Sequence, residues 1–271
     1  MLRERIIEHF GEPCRVVALR RAPHFGAHLF VADCMRRGRH LRVLGSIDET
    51  GYIMEQSAMD LLRPERLVYH YERMMLVAFG LARAPRRALL LGLGGGAMAR
   101  HLAAYLPECT PTIVERESVV RELARRHFRF EGKVMLRDAR RVVAERSAAY
   151  DVLLVDLYDA DGAARLGAQF WRDCAGSLAP GGALAINWAE FVGQSRVESE
   201  LREIAQVFGR SWFLTERDPR PNIVQVISQS RCRRDALQRR YARFAAALAL
   251  PPECREVLAR SEITAHYPVL D

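Results

Sequence analysis

Lysine is almost missing from this chain of 271 residues: its 41 basic side chains include Lys133 and no other lysine. The formal charge of +8 is therefore an arginine charge. Near-exclusive use of one basic residue marks coding bias as much as phosphate contact. Only the stretch from Arg231 to Arg240 is dense, and helical spacing spreads it over a solvated face, so no nucleic-acid groove is expected. Six cysteines are present (Cys14, Cys34, Cys109, Cys174, Cys232 and Cys254), but no C-x-x-C pair and no histidine cluster. That spacing argues against a zinc site or a disulfide framework, so no metal and reduced thiols are expected. Long apolar runs are missing as well. Nothing approaches the about 20 residues that cross a bilayer, and Met1-Leu2-Arg3-Glu4-Arg5 leads into no apolar signal region. A soluble, cytoplasmic protein is the expectation, with no membrane partner.

What is present builds a core: 49% of the residues are hydrophobic. Residues 13 to 62 read as short strands at Arg15–Leu19, His28–Asp33, His40–Leu44 and Tyr52–Met54, broken by turn chemistry at Gly26, Arg37-Gly38 and Asp48-Glu49-Thr50-Gly51. Pro64 then predicts the start of a helix to about Leu81, with Leu67, Tyr71, Met74, Met75 and Phe79 at helical spacing. From Arg87 strands at 87–93, 111–115, 133–137, 150–156 and 182–188 alternate with helical segments. Their apolar runs fit strands buried on both faces of a parallel sheet. A helix at 195–208, two strands at 211–216 and 223–228 that could pair antiparallel, and a helix near 233–249 follow. The expected fold is α/β and doubly wound. We divide it into an N-terminal β-strand appendage, 1–62, and a Rossmann-like domain, 63–271.

The richest stretch is Leu89-Leu90-Leu91-Gly92-Leu93-Gly94-Gly95-Gly96-Ala97. It predicts a buried strand entering a glycine turn, where the backbone can approach a ligand and the next helix offers its N–H groups. Glu115 follows 23 residues after Gly92, near the spacing at which an acid meets ribose hydroxyls. Asp156-Leu157-Tyr158-Asp159 then puts a carboxylate pair at the end of a later strand, where open α/β sheets hold ligands. A phosphate loop is excluded, because no Lys-Ser/Thr follows the glycines. A dinucleotide fold fits Gly92-x-Gly94-x-x-Ala97, and an S-adenosylmethionine-dependent transferase sheet fits the full order of features. Simpler roles exist: Asp138 suits a helix cap, Asp159-Ala160-Asp161-Gly162 an ordinary turn, and Tyr69 and the Phe170-Trp171 pair plain packing. Trp188 and Glu190 follow the fifth strand and could border an acceptor pocket.

Leu91-Gly92-Leu93-Gly94-Gly95-Gly96, Val114-Glu115, Arg137-Asp138-Ala139 and Val155-Asp156-Leu157-Tyr158-Asp159 resemble spermidine synthases and their spermidine synthase-like relatives, the polyamine aminopropyltransferase family. Gln56-Ser57-Ala58-Met59-Asp60 and Leu67-Val68-Tyr69-His70-Tyr71 share the resemblance, which covers about residues 39 to 190. It implies a Rossmann-like transferase sheet behind a small antiparallel β domain, and aminopropyl transfer to a small, polyamine-like amine acceptor. The cofactor implied is decarboxylated S-adenosylmethionine or S-adenosylmethionine. Carried over by position, Gly92, Gly94 and Gly95 would carry its methionine-derived part, Glu115 the ribose, and Asp138 with Ala139 the adenine edge. Gln56 and His70 would border it. Asp156 would take the proton of the incoming amine, Asp159 would bind a second cationic part of the acceptor, and Tyr69 would orient the nucleophile. A homodimer is the assembly such relatives suggest.

The sequence departs from that pattern in three places. Ala97 stands where aminopropyltransferases have an Asp that holds the cofactor's amine, Ala160 stands where they have Pro, and the loop from Asp156 to Phe170-Trp171 is shorter than expected. Methyl transfer to a small acceptor, RNA-directed methyl transfer and a non-catalytic nucleoside- or polyamine-binding role therefore stay open.

Overall fold

The computed structural model describes the chain except residues 12, 23–25, 146, 160–161, 164, 189–193, 217–221, 230–231 and 267–271, and the side chains of 159, 162–163 and 194–196. A helix, α1 (Leu2–Phe10), opens it. Four strands follow: β1 (Cys14–Ala22), β2 (Ala27–Arg36), β3 (Arg39–Ile47) and β4 (Ile53–Asp60). They form an antiparallel sheet in chain order. The expected strands are all there but longer, because cross-strand pairing carries them beyond their apolar centres. Helix α1 was not expected. Its Ile6 seals the outer face of this sheet against Val16, Phe30 and Ile47.

The predicted helix from Pro64 does not begin there. Asp60 accepts from the backbone N–H groups of Leu62 and Arg63, which holds a turn, and Tyr69 is extended (φ −83°, ψ 147°). The segment instead forms two short helices, α2 (His70–Met75) and α3 (Val77–Leu81). Glu72 Oε2 accepts from the Tyr69 N–H at 3.1 Å, which starts α2 in the manner of a capping residue.

The alternating part follows in the predicted order: β5 (Arg87–Leu91), α4 (Ala97–Tyr105), β6 (Thr110–Glu115), α5 (Ser118–His127), β7 (Met135–Leu136), α6 (Ala139–Ala144) and β8 (Tyr150–Val155). A two-residue ribbon, β9 (Tyr158–Asp159) and β10 (Gly162–Ala163), leads to α7 (Gly167–Ser177), β11 (Leu178–Trp188) and α8 (Gln194–Phe208). The chain continues with β12 (Trp212–Glu216), β13 (Ile223–Ser228), α9 (Arg234–Ala247), α10 (Pro252–Arg255), α11 (Val257–Arg260) and β14 (Ser261–Thr264). The last three were not expected; each is four residues long, too short to show a period.

The eight-stranded sheet runs β14-β12-β13-β11-β8-β5-β6-β7. β7, β6, β5, β8 and β11 are parallel neighbours, and β12, β13 and β14 add an antiparallel edge. Period-two alternation buries both faces. Leu90, Leu154 and Ala185 pack on the side of α2, α3, α4, α5 and α9, while Leu89, Leu153 and Leu184 pack on the side of α6, α7 and α8. From β5 the chain first goes outward to β6 and β7, then returns to the other side of β5 with β8. The crevice at the carboxyl ends of β5 and β8 is the switch point where such sheets receive ligands. Among the described residues no helix is long and apolar enough to cross a membrane.

The segment after that crevice is anchored by one buried acid. Glu200 in α8 accepts from Leu166 N at 3.0 Å, Gly167 N at 3.1 Å and Trp171 Nε1 at 2.6 Å. Glu200→Ala leaves three donors unpaired at the start of α7. It is expected to cost at least about 3 kcal/mol in urea unfolding; a loss under about 1 kcal/mol would show that this clamp is dispensable.

Candidate active site

Two adjoining hollows open at the switch point. The outer one, about 830 Å³ and open to solvent, is lined by the glycine turn, Glu115, Asp138, Ala139, Asp156 and Tyr158 among others. The inner one, about 510 Å³ and equally open, is lined by Gln56, Tyr71, Glu72 and Ala97 among others. Gln56, Gly92, Leu93, Gly94 and Asp156 belong to both.

Gly92 is a close approach. Its φ is +103°, and a Cβ there would collide with the carbonyl oxygen of Asp156. Asp156 N donates to Leu91 O at 2.9 Å, so the ends of β5 and β8 are locked together at this point. Glu115 ends β6 beside them. Its two oxygens accept from Leu93 N at 3.2 Å and Glu117 N at 2.8 Å, and burial raises its pKa. A carboxylate offers about four lone-pair sites, so accepting capacity remains for ligand hydroxyls. Asp138 caps α6 through Arg140 N at 2.7 Å and also lines the outer hollow, so the simple role and the binding role coexist.

Asp156 is the chemically poised group. Burial raises its pKa to about 6, while hydrogen bonds from Asn187, Tyr158 and Tyr71 oppose the rise. Asn187 Nδ2 donates to Asp156 Oδ1 at 2.9 Å and to the Tyr158 hydroxyl at 2.7 Å. The Tyr71 hydroxyl donates to Gln56 O at 3.1 Å. A carboxyl that titrates near neutrality is suited to accept a proton from an amine.

Not every candidate from the sequence arrives here. Tyr69 gives its hydroxyl to Glu55 Oε2 at 2.6 Å, beside Arg36, which also pairs with Glu55. His70 turns the other way: Nε2 meets Ser261 Oγ at 3.2 Å, and burial lowers its pKa to about 4. Neither lines either hollow. Tyr71, Tyr158 and Asn187 take the polar places around Asp156. Asn187 is not among the residues expected from the sequence: it is a single amide in the apolar run Ala183–Trp188, where it breaks no period. Trp188 is buried, with its Nε1 on Gln225 Oε1 at 3.1 Å, and Glu190 is outside the described residues. The side chain of Asp159 is outside them too. Among the described residues no group of side chains could hold a metal.

No family model matches the chain. It is 32% identical over 161 residues to a polyamine aminopropyltransferase of Neisseria meningitidis serogroup A, covering 56% of this chain and 60% of that one. A polyamine aminopropyltransferase of Chromobacterium violaceum gives the same identity over 162 residues and the same shares. The chain thus spans about 60% of the length of these curated relatives. In fold it is similar to a probable spermidine synthase from Corynebacterium glutamicum (TM-score 0.68, 21% identity, 84% of this chain and 87% of that one). It is equally similar to a spermidine synthase in complex with the transition-state analogue AdoDATO (TM-score 0.68, 17% identity, 90% and 88%). Human methyltransferase-like protein 13 in complex with SAH matches with a TM-score of 0.58 at 19% identity, over 68% of this chain and 94% of that one. The fold is that of the S-adenosylmethionine-dependent methyltransferases. The sequence likeness to the aminopropyltransferases covers just over half of this chain, and the likeness in fold to the spermidine synthases covers most of it.

Gly92→Ala tests the junction. It adds backbone strain to contact with a carbonyl oxygen and is expected to cost at least about 2 kcal/mol in urea unfolding. Gly167 has φ +81° but open space around it, so Gly167→Ala should cost less. Equal costs would remove the close approach as the cause.

Proposed function

We propose that the protein is an aminopropyltransferase, moving an aminopropyl group from decarboxylated S-adenosylmethionine to a polyamine-like amine. The observation that carries this is Asp156: a half-buried carboxyl whose desolvation raises its pKa to about 6, bonded by Asn187 in a glycine-turn cleft. The names of the curated relatives support the same reaction.

The cleft fits an adenosyl sulfonium. Gln56 lines both hollows, and its Nε2 is buried without a hydrogen-bond partner among the described residues. Glu115 would take the ribose hydroxyls, Asp138 and Ala139 the base, and Gly92 and Gly94 the sulfonium arm; Gly95 lines neither hollow and packs toward Phe128 and Ser57 instead. Bound there, the sulfonium supplies an electrophilic carbon with a neutral thioether as leaving group. Asp156 accepts the amine's proton as the new C–N bond forms and the C–S bond breaks. Asn187 fixes the carboxylate that does so, and Tyr71 and Tyr158 surround it. Asp159 would meet a second cationic centre of the acceptor, and the acceptor would enter from the solvent side of the outer hollow.

Intact S-adenosylmethionine as a methyl donor is the second reading. Ala97 favours it, since no acid at that position repels the α-carboxylate of the intact donor.

Product analysis separates the two. Incubation with decarboxylated S-adenosylmethionine and a diamine should release methylthioadenosine and a triamine. Methylated amine from the intact cofactor, with no methylthioadenosine formed from the decarboxylated one, would replace this reading with methyl transfer. Asp156→Asn should lower kcat by about 10²- to 10⁴-fold. For the wild type, kcat/KM should fall as pH drops through about 6, because the protonated acid cannot accept a proton. The raised pKa has a stability sign as well. It stabilises the fold below the ordinary carboxyl pKa, and that contribution is lost as pH rises through about 6. Asp156→Asn should therefore melt no lower than the wild type at pH 8, and a lower Tm would contradict the electrostatic account.

A further inference from the structure

The inner hollow holds a second carboxyl, which the reaction outlined above leaves without a role. Glu72 is 5% exposed and sits in the first turn of α2. One of its oxygens accepts the Tyr69 N–H. Arg73 and Arg100 act on its charge, but their guanidinium groups bond to backbone carbonyl oxygens: those of Leu67 and Val68 for Arg73, and of Pro64, Gly95 and Phe128 for Arg100. Among the described residues no basic side chain is bonded to Glu72, and no arginine, lysine or histidine lines the inner hollow. Its charged lining is Glu72 and Asp156 alone, and the charge of Asp156 adds to the burial that raises the pKa of Glu72. A buried carboxylate without a cation is costly, so this hollow is electrostatically suited to a ligand that brings a positive charge. Gln56, with its unpartnered Nε2, lines the same space.

We propose that Glu72 determines donor specificity: it receives the ammonium of the donor's aminopropyl arm in the inner hollow and, with Asp156, turns away a donor that carries an α-carboxylate. This rests on the aminopropyl reading above. The two donors differ only in that carboxylate. Intact S-adenosylmethionine would bring a negative group toward two carboxyls and no base, whereas the decarboxylated form brings only cations. Position 97 supplies no acid to the same hollow, which leaves Glu72 as its one acid that the proton transfer to Asp156 does not use.

Calorimetric titration of wild type and Glu72→Gln with methylthioadenosine, decarboxylated S-adenosylmethionine and the intact molecule tests this. Methylthioadenosine lacks the amine arm and reports the nucleoside cleft alone. The wild type is expected to bind the decarboxylated donor at least about tenfold more tightly than the intact one. Glu72→Gln, nearly isosteric and able to accept the same Tyr69 N–H, should lose at least about tenfold for the decarboxylated donor while its affinity for methylthioadenosine is unchanged. Unchanged affinity of the variant for both ligands would overturn the role of Glu72 and leave the transferase reading standing. Failure of the wild type to bind methylthioadenosine would instead remove the nucleoside cleft, and the proposal with it. Should the variant not fold, equal wild-type affinity for the two donors overturns the proposal without it.

Discussion

The contact on which the site depends is a backbone one, between the ends of two parallel strands. Asp156 N bonds to Leu91 O, and the carbonyl of Asp156 lies where any side chain at Gly92 would have to go. Hydrophobic burial on both faces of the sheet fixes β5 against β8, and the topology turns outward on either side of them. The crevice follows from that arrangement. So does the placement of one acidic side chain where partial burial raises its pKa.

The small sheet does more than cover an edge. Its last strand brings Gln56 into both hollows and sets Ser57 against the glycine turn. Its own outer face is closed by α1, and Arg42 reaches across to the carbonyl oxygen of His127 at the end of α5. Two acids therefore meet in one cleft from different layers: Asp156 from the large sheet and Glu72 from the helix that follows the small one. Folding gains nothing from either as an isolated ion, since burial raises both pKa values, to about 6 and about 7. Function is the natural account of why they are there.

Much of this was legible in the sequence. Apolar runs such as Tyr150–Val155 and the glycine cluster located the sheet and the turn, because doubly buried strands and positive φ leave few residue choices. The Tyr69-His70-Tyr71 segment was misjudged for a reason of phase. A helix counted from Pro64 gives no sign that Tyr69 is extended, and three consecutive residues around a helix start point in three directions. Their hydrogen bonds go to Glu55, Ser261 and Gln56 respectively. The short elements after α9 escaped for lack of length, and Asn187 because a single amide in an apolar strand carries no periodic signal. How the chain divides into domains at about residue 62 is a matter for limited proteolysis; one core cluster runs continuously from Leu29 and Leu44 to α2 and α4.

The central claim is that burial, moderated by Asn187, holds Asp156 ready to take a proton near neutral pH. Carboxyl-carbon NMR of the ligand-free protein, with the Asp156 resonance assigned from its absence in Asp156→Asn, measures this directly. The account predicts a titration midpoint near pH 6. A midpoint at the ordinary aspartate value of about 3.9 would contradict it, and would return Asp156 to the role of a hydrated strand-end charge.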